Sequence, residues 1–143
     1  MNRQIVTHIA TAQDAVDLAR LNAAFNNVHD SPEAIAARLA DPRRVETPIL
    51  AEVDGQVVGF AALRLVPCVL YAQPHAELTE LFVEAPYRRQ GVGRALVAHA
   101  EQLAREDGAD ELVLLTDLDN ADAQAFYRAQ GYADTNLGMN KML

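Results

Sequence analysis

Apolar positions set the elements. Ile5, Val6 and Ile9 predict a short first strand. Ala15, Leu18, Leu21, Ala24 and Phe25 then recur at helical spacing, which predicts a helix to about Asn26 or Asn27. Thr11 and Asp14 have the spacing of a capping box at its start. Ser31-Pro32-Glu33 reads as N-cap, first-turn proline and first-turn acid of a second helix. That helix carries Ile35 and Leu39 and ends before Pro42. The period then shortens. Ile49 to Val53 and Gln56 to Val66 predict two strands joined by a hairpin turn at Asp54-Gly55, and Pro67 interrupts the second. His75 to Val83 predicts a further strand, stopped by Pro86. Glu77, Thr79, Leu81 and Val83 share one nominal face of it; Leu78, Glu80 and Phe82 share the other, unless a bulge switches the register.

From about Gly91 the helical period returns, with Leu96, Val97, Ala100, Leu103 and Ala104, and Gly108 stops it. Leu112 to Leu115 is a continuous apolar run after a helix, which predicts a buried strand with a parallel neighbour. Asn120 caps a last helix through Ala129, ended by Gly131, and Leu137 to Leu143 predicts a weak final strand. The order is β, two helices, a β-meander, helix, β, helix, β. That is an α+β plan: one mixed, mostly antiparallel sheet of about six to seven strands with about four helices. His75 to Leu115 is the one clear βαβ unit. No internal repeat or linker divides residues 1–143, so a single domain is expected.

Composition narrows the partners. Twelve Lys and Arg against twenty Asp and Glu give a formal charge of −8. Such a surface disfavours nucleic acid and anionic membranes and mildly favours a cationic substrate. Cys68 is the sole cysteine, which excludes an internal disulfide and a cysteine-based zinc site. The start lacks a signal peptide's apolar block, and no apolar run approaches a membrane span. A soluble, cytoplasmic protein is the expectation.

Residues 87–96, YRRQGVGRAL, reverse the local charge. Gly91 and Gly93 let the backbone approach a ligand closely. The helix that begins there presents unpaired N–H groups and a partial positive charge. With Arg88, Arg89 and Arg94, these make an anion site suited to a phosphate or pyrophosphate. The Gly-Lys-Ser/Thr of a P-loop is absent. Leu96 stands where a dinucleotide fingerprint needs its third glycine, and the strand before it is not a buried parallel one.

Arg88, Gly91 and Gly93 fill the signature [Gln/Arg]-x-x-Gly-x-[Gly/Ala] of the GNAT acetyltransferase superfamily. The flank ELTELFVEAPYRRQGVGRAL resembles that family's fourth strand and third helix, and NADAQAFYRAQGY resembles its fourth helix. The resemblance spans nearly the whole chain and is strongest from Glu77 to Tyr132. It implies a cleft for acetyl-CoA where the fourth and fifth strands, a parallel pair, splay apart. Main-chain N–H groups of Gln90, Gly91, Val92, Gly93, Arg94 and Ala95 would hold the pyrophosphate. Backbone groups of Phe82 and Val83 would pair with the pantetheine arm, and the Val83 N–H would polarise the thioester carbonyl. Asn120 matches a position that often contacts the cofactor, and Tyr127 a tyrosine that often protonates the leaving thiolate. A homodimer is open, through Val69 to Tyr71 or the last strand.

The chemistry implied is direct attack of a primary amine on acetyl-CoA, both bound together. The amine must lose a proton, and a base or water chain must take it. Glu77, six residues before Val83, matches the base position of the histone-type branch; Glu80 lies beside the acidic position of polyamine-type members. Alternation places the two on opposite faces, so one of them faces the cleft. Polyamine, aminoglycoside, amino acid, N-terminal and lysine amines all stay open, a small cationic acceptor being favoured over a peptide. A CoA-binding module without turnover is the alternative. His8, His29, His75 and His99 lack ligand spacing, so no metal is expected, although His75 is a candidate substrate contact. Cys68 has no evident base partner and reads as a structural thiol.

Overall fold

The computed structural model describes residues 3–143, in two compact units, one ending at Val113 and the other Leu114–Leu143. The elements are β1 (Ile5–Ile9), α1 (Ala15–Asn26), α2 (Pro32–Leu39), β2 (Glu46–Val53), β3 (Gln56–Val66), β4 (His75–Val83), α3 (Val92–Glu106), β5 (Val113–Leu114) and α4 (Ala121–Ala129). The strands lie in the order β1-β2-β3-β4-β5. Neighbours are antiparallel through β4, and β5 runs parallel to β4.

The caps read from the sequence are made. Thr11 N–H donates to the Asp14 carboxylate at 2.8 Å, and Ala34 N–H to Ser31 Oγ at 3.1 Å. Both sheet faces of the first unit are covered. Leu18 and Leu21 of α1 pack with Leu50 and Phe60, and Ile35 and Leu39 of α2 close over them. By alternation Ile49, Ala51, Ala61 and Leu63 point the other way, where α3 brings Val92, Leu96, Val97, Ala100 and Ala104. His99 Nδ1 meets Thr7 Oγ1 at 2.9 Å and ties α3 to β1 on that side. Burying a leucine such as Leu21 or Leu96 contributes about 2 kcal/mol.

Two irregularities shape β4. Across β3, Ala62 pairs with Glu80 and Leu63 with Leu78, so Thr79 is an extra residue, a bulge. Its hydroxyl donates to the Glu46 carboxylate at 2.8 Å. At the strand's end β3 comes unusually close. A Cβ on Gly59 would meet Phe82 O at 2.8 Å and Val83 Cα at 3.4 Å.

Two expectations change. Five strands form among the described residues, against the six to seven expected. Leu137 to Leu143 has no strand: Leu137, Met139 and Met142 are 77%, 87% and 89% exposed, so this segment has no apolar face buried against anything. Of the run Leu112 to Leu115 only Val113–Leu114 is strand, and Leu115 is exposed, so the run is not a buried core strand.

Gly59→Ala should destabilise the fold by about 1–3 kcal/mol, because the added methyl meets backbone rather than a flexible side chain. Urea unfolding of the variant against wild type reads this directly.

Candidate active site

After Val83 the chain makes a 3-10 turn at Ala85–Tyr87 and enters α3 through a strained loop. Arg89 has φ 59° and Gly91, the N-cap, φ 90°, both left-handed. Such backbone costs a non-glycine residue about 1–2 kcal/mol and collects at ligand sites. The Ala95 N–H donates to Gly91 O at 3.0 Å and is the first to close a helical bond, so those of Val92, Gly93 and Arg94 point out of the helix end. Exposed Arg89 and Arg94 add full charges there. This donor set fits a pyrophosphate, with no side chain required to reach it.

Gln90 braces the loop with both ends of its amide. Its Nε2 donates to Pro86 O at 3.0 Å, and its Oε1 accepts from Arg3 Nη1 at 3.1 Å. Arg3 also lies 5.8 Å from the Tyr87 ring centroid, and Tyr87 donates its hydroxyl proton to Gln56 at 3.1 Å. Arg88 turns back toward the strand: its Nε donates to Val83 O at 2.8 Å, and its guanidinium lies 5.7 Å from the Phe82 ring centroid.

Val83 presents its backbone outward. The Glu84 N–H donates to Val58 O at 2.9 Å and Phe82 O faces Gly59, so those groups point toward β3. Alternation turns the N–H and C=O of Val83 to the opposite edge. β5 has two residues against nine in β4, which leaves much of that edge without a strand partner among the described residues.

The bulge overturns the expected faces of the two glutamates. Beyond Thr79 the parity switches, so Glu80 and Phe82 share the face of Glu77, opposite Ala62, Phe60 and Arg64. This is the α1 side: Phe82 stacks on Phe25 at 5.0 Å, and Glu80 accepts from Asn26 Nδ2 at 3.3 Å. Glu77 takes Arg64 at 2.5 Å, and His75 Nε2 stands 4.0 Å from it. Glu46, tied to Thr79, adds a carboxylate that the sequence reading missed along with Arg64, Thr79 and Asn26. The pattern Ala76, Leu78, Leu81 held the signal, because apolar spacing that steps from two to three inside a strand marks a bulge.

Asn120 and Tyr127 belong to the second unit. Asn120 Oδ1 accepts the Ala123 N–H at 3.1 Å as the cap of α4. Tyr127 lies edge-on to Phe126 and Tyr132, and burial pushes its phenol up to about 12. The other histidines lie apart: His8 meets Asp14 at 3.3 Å and His29 meets Asn27 at 3.0 Å. Cys68 is half-buried, its Sγ 3.6 Å from Val66 O. Among the described residues no helix is long and apolar enough to cross a membrane.

Residues 14–132 match the Acetyltransferase (GNAT) family. The chain belongs to that family. It is 35% identical over 111 residues to aminoalkylphosphonate N-acetyltransferase of Salmonella typhimurium, covering 78% of this chain and 71% of the relative. It is 31% identical over 130 residues to aminoglycoside N(6')-acetyltransferase type 1 of Stenotrophomonas maltophilia, covering 88% and 84%. An aminoglycoside N-acetyltransferase solved in complex with CoA superposes with a TM-score of 0.84 at 19% identity, covering 100% of this chain and 97% of the other. The protein is thus a GNAT acetyltransferase, and the fold it shares with these neighbours is the mixed sheet described above.

Two outcomes are expected for this GNAT chain. Gly91→Val should weaken CoA binding tenfold or more by calorimetry, with the far-UV circular dichroism unchanged, since φ 90° disfavours a branched side chain and the N–H cradle depends on it. Between pH 10 and about 12 the folded state keeps the Tyr127 proton that an unfolded chain has released. Stability should therefore fall as pH rises through that window, and Tyr127→Phe should flatten the fall in pH-dependent urea unfolding.

Proposed function

We propose that the chain moves an acetyl group from acetyl-CoA to a primary amine on a small cationic molecule, by direct attack with both substrates bound. The observation that carries this is the outward-facing Val83 N–H a few residues before the helix-end anion cradle, with two glutamates of the same strand on one face. Acetyl-CoA supplies a thioester that accepts the amine and releases a thiolate.

The chain's own groups do the rest. The N–H groups of Val92, Gly93 and Arg94 bind the pyrophosphate, and the outer edge of β4 at Val83 aligns the pantetheine arm; Phe82, expected to share that task, turns its backbone groups to β3 instead. An ammonium with pKa near ~10.4 must first be deprotonated. Glu80 takes that proton, directly or through water, because Arg64 already occupies Glu77. The amine nitrogen then forms its bond to the acyl carbon and sheds its second proton to water, the C–S bond breaks, and the electron pair leaves on sulfur. Val83 N–H donates to the acyl oxygen as charge builds on it, a contribution of order 10²–10³ in rate for such donors. The family resemblance assigns Tyr127, whose phenol burial holds protonated, the role of proton donor to the departing sulfur, and assigns Asn120 a cofactor contact.

An aminoglycoside carries several ammonium groups, whereas an aminoalkylphosphonate carries an anion beside its amine. Glu46 and Glu80, on the sheet face where Arg64 is already paired with Glu77, favour the first kind of acceptor. The test begins with thiol release from acetyl-CoA across a panel of amines. CoA binding without thiol release on any amine would replace the transferase reading by a CoA-binding module. Glu80→Gln should lower kcat/KM at neutral pH about 10²-fold, and the loss should shrink near pH ~10, where the amine is itself neutral. Glu77→Gln should cost less than tenfold. Equal losses would move the base role to the pair.

A further inference from the structure

We propose that Arg88 is a positioning residue for the acyl-transfer site, holding the Val83 peptide in place, and not a ligand of the cofactor's phosphates. The proposal rests on the transferase reading for its kinetic consequence, and on geometry for everything else.

The guanidinium is spent on the strand. Its Nε donates to Val83 O at 2.8 Å, and its plane sits over Phe82 at 5.7 Å. Phe82 is itself fixed, stacked on Phe25 at 5.0 Å and tilted against Phe60 at 6.3 Å. Those rings lie on the face covered by α1 and α2. The phosphate cradle lies at the N-terminus of α3, which packs on the opposite face. Arg88 therefore reaches away from the helix end that its charge was expected to reinforce, while Arg89 and Arg94 remain beside it.

The end of β4 needs such a hold. On its inner edge the Glu84 N–H bonds Val58 O at 2.9 Å. On its outer edge β5 offers two residues of pairing for nine in β4. Arg88 supplies a bond to that outer edge at Val83 itself, from five residues further along. A carbonyl accepts two hydrogen bonds, so Val83 O can keep Arg88 and still receive a donor from a bound arm. Misplacing a donor by about 1 Å costs on the order of 10² in rate. The planar guanidinium is what makes both contacts at once: lysine has neither the Nε–H fork nor the stacking plane, yet still serves as a point charge for phosphate.

Arg88→Lys and Arg88→Gln separate the roles. In the unliganded protein, amide hydrogen exchange at Glu84 should speed at least tenfold in both variants, with α3 and the β1–β2 pair unchanged. CoA affinity by calorimetry should stay within threefold of wild type. Turnover should fall by about tenfold or more, in kcat and by the same factor with acetyl-CoA and with acetyl-pantetheine, which has no pyrophosphate. Unchanged exchange at Glu84 overturns the proposal. So does a tenfold loss of CoA affinity that lysine restores, or a kinetic loss confined to acetyl-CoA. Should the wild type release no thiol with any amine, the transferase reading fails, and exchange with CoA affinity still decides the role of Arg88.

Discussion

Thr79 has no partner across the ladder, because Leu78 faces Leu63 and Glu80 faces Ala62, and this one extra residue determines what each side of the sheet becomes. Ala76 and Leu78 point to α3 before the bulge and Leu81 after it. Strict alternation would instead send Glu80 and Phe82 under α3, burying a carboxylate, and would turn Leu81 to the α1 face in place of Phe82. An unpaired buried carboxylate costs several kcal/mol, far more than one lost ladder bond. Core packing thus enforces the bulge, and the chemistry follows from it. Glu77 and Glu80 come to one face, and Phe82 reaches Phe25 and Phe60.

The opposite end of the same strand is set by crowding. Gly59 admits the Phe82 carbonyl where no side chain could, and β3 has its own register shift beside it. Strand β4 therefore leaves the sheet at a defined place and direction. Three residues of 3-10 turn and the left-handed pair Arg89 and Gly91 then carry the chain to the start of α3. The strain at Arg89 is offset by neighbours that fix the loop, Gln90 between Pro86 and Arg3 above all. A rigid loop holds helix-end N–H groups where an anion can use them without reorganisation.

The sequence made most element limits legible, since local chemistry decides them. Ser31 and Pro32 start a helix, Asp54-Gly55 turns a hairpin, and β4 runs from His75 to Val83 as its alternation and the proline after it indicate. The start of α3 was legible for the same reason, because Gly91, where the helical period returns, stands at its N-cap. The face of Glu80 was not, since parity counting fails at one residue and the shift shows only in the spacing of Ala76, Leu78 and Leu81. The direction of Arg88 was not either, because charge composition places a guanidinium near a loop but cannot say which carbonyl it finds. The last strand failed for a physical cause: Leu137 and Met139 alternate with Gly138 and Asn140, but Met142 breaks the alternation and all three apolar side chains are exposed, so nothing stabilises an extended pairing.

Opposite charges on the two sides of β4 suit the proposed chemistry beyond binding. In the proposed reaction Arg89 and Arg94 attract the anionic donor, while Glu46 and Glu80 attract an ammonium on the α1 face, in a protein whose net charge of −8 already steers cations toward it. Two unit charges about 4 Å apart near a protein surface attract by about 4 kcal/mol before screening. That attraction belongs to the ammonium and is lost when the nitrogen becomes an amide. Acetylation thus removes the charge by which the acceptor was held. Glu80, having given its proton to solvent, is again a carboxylate that prefers a fresh ammonium to the product. A site built this way weakens its grip on product through the reaction itself, and an acceptor with several ammonium groups would keep part of that grip after the first transfer.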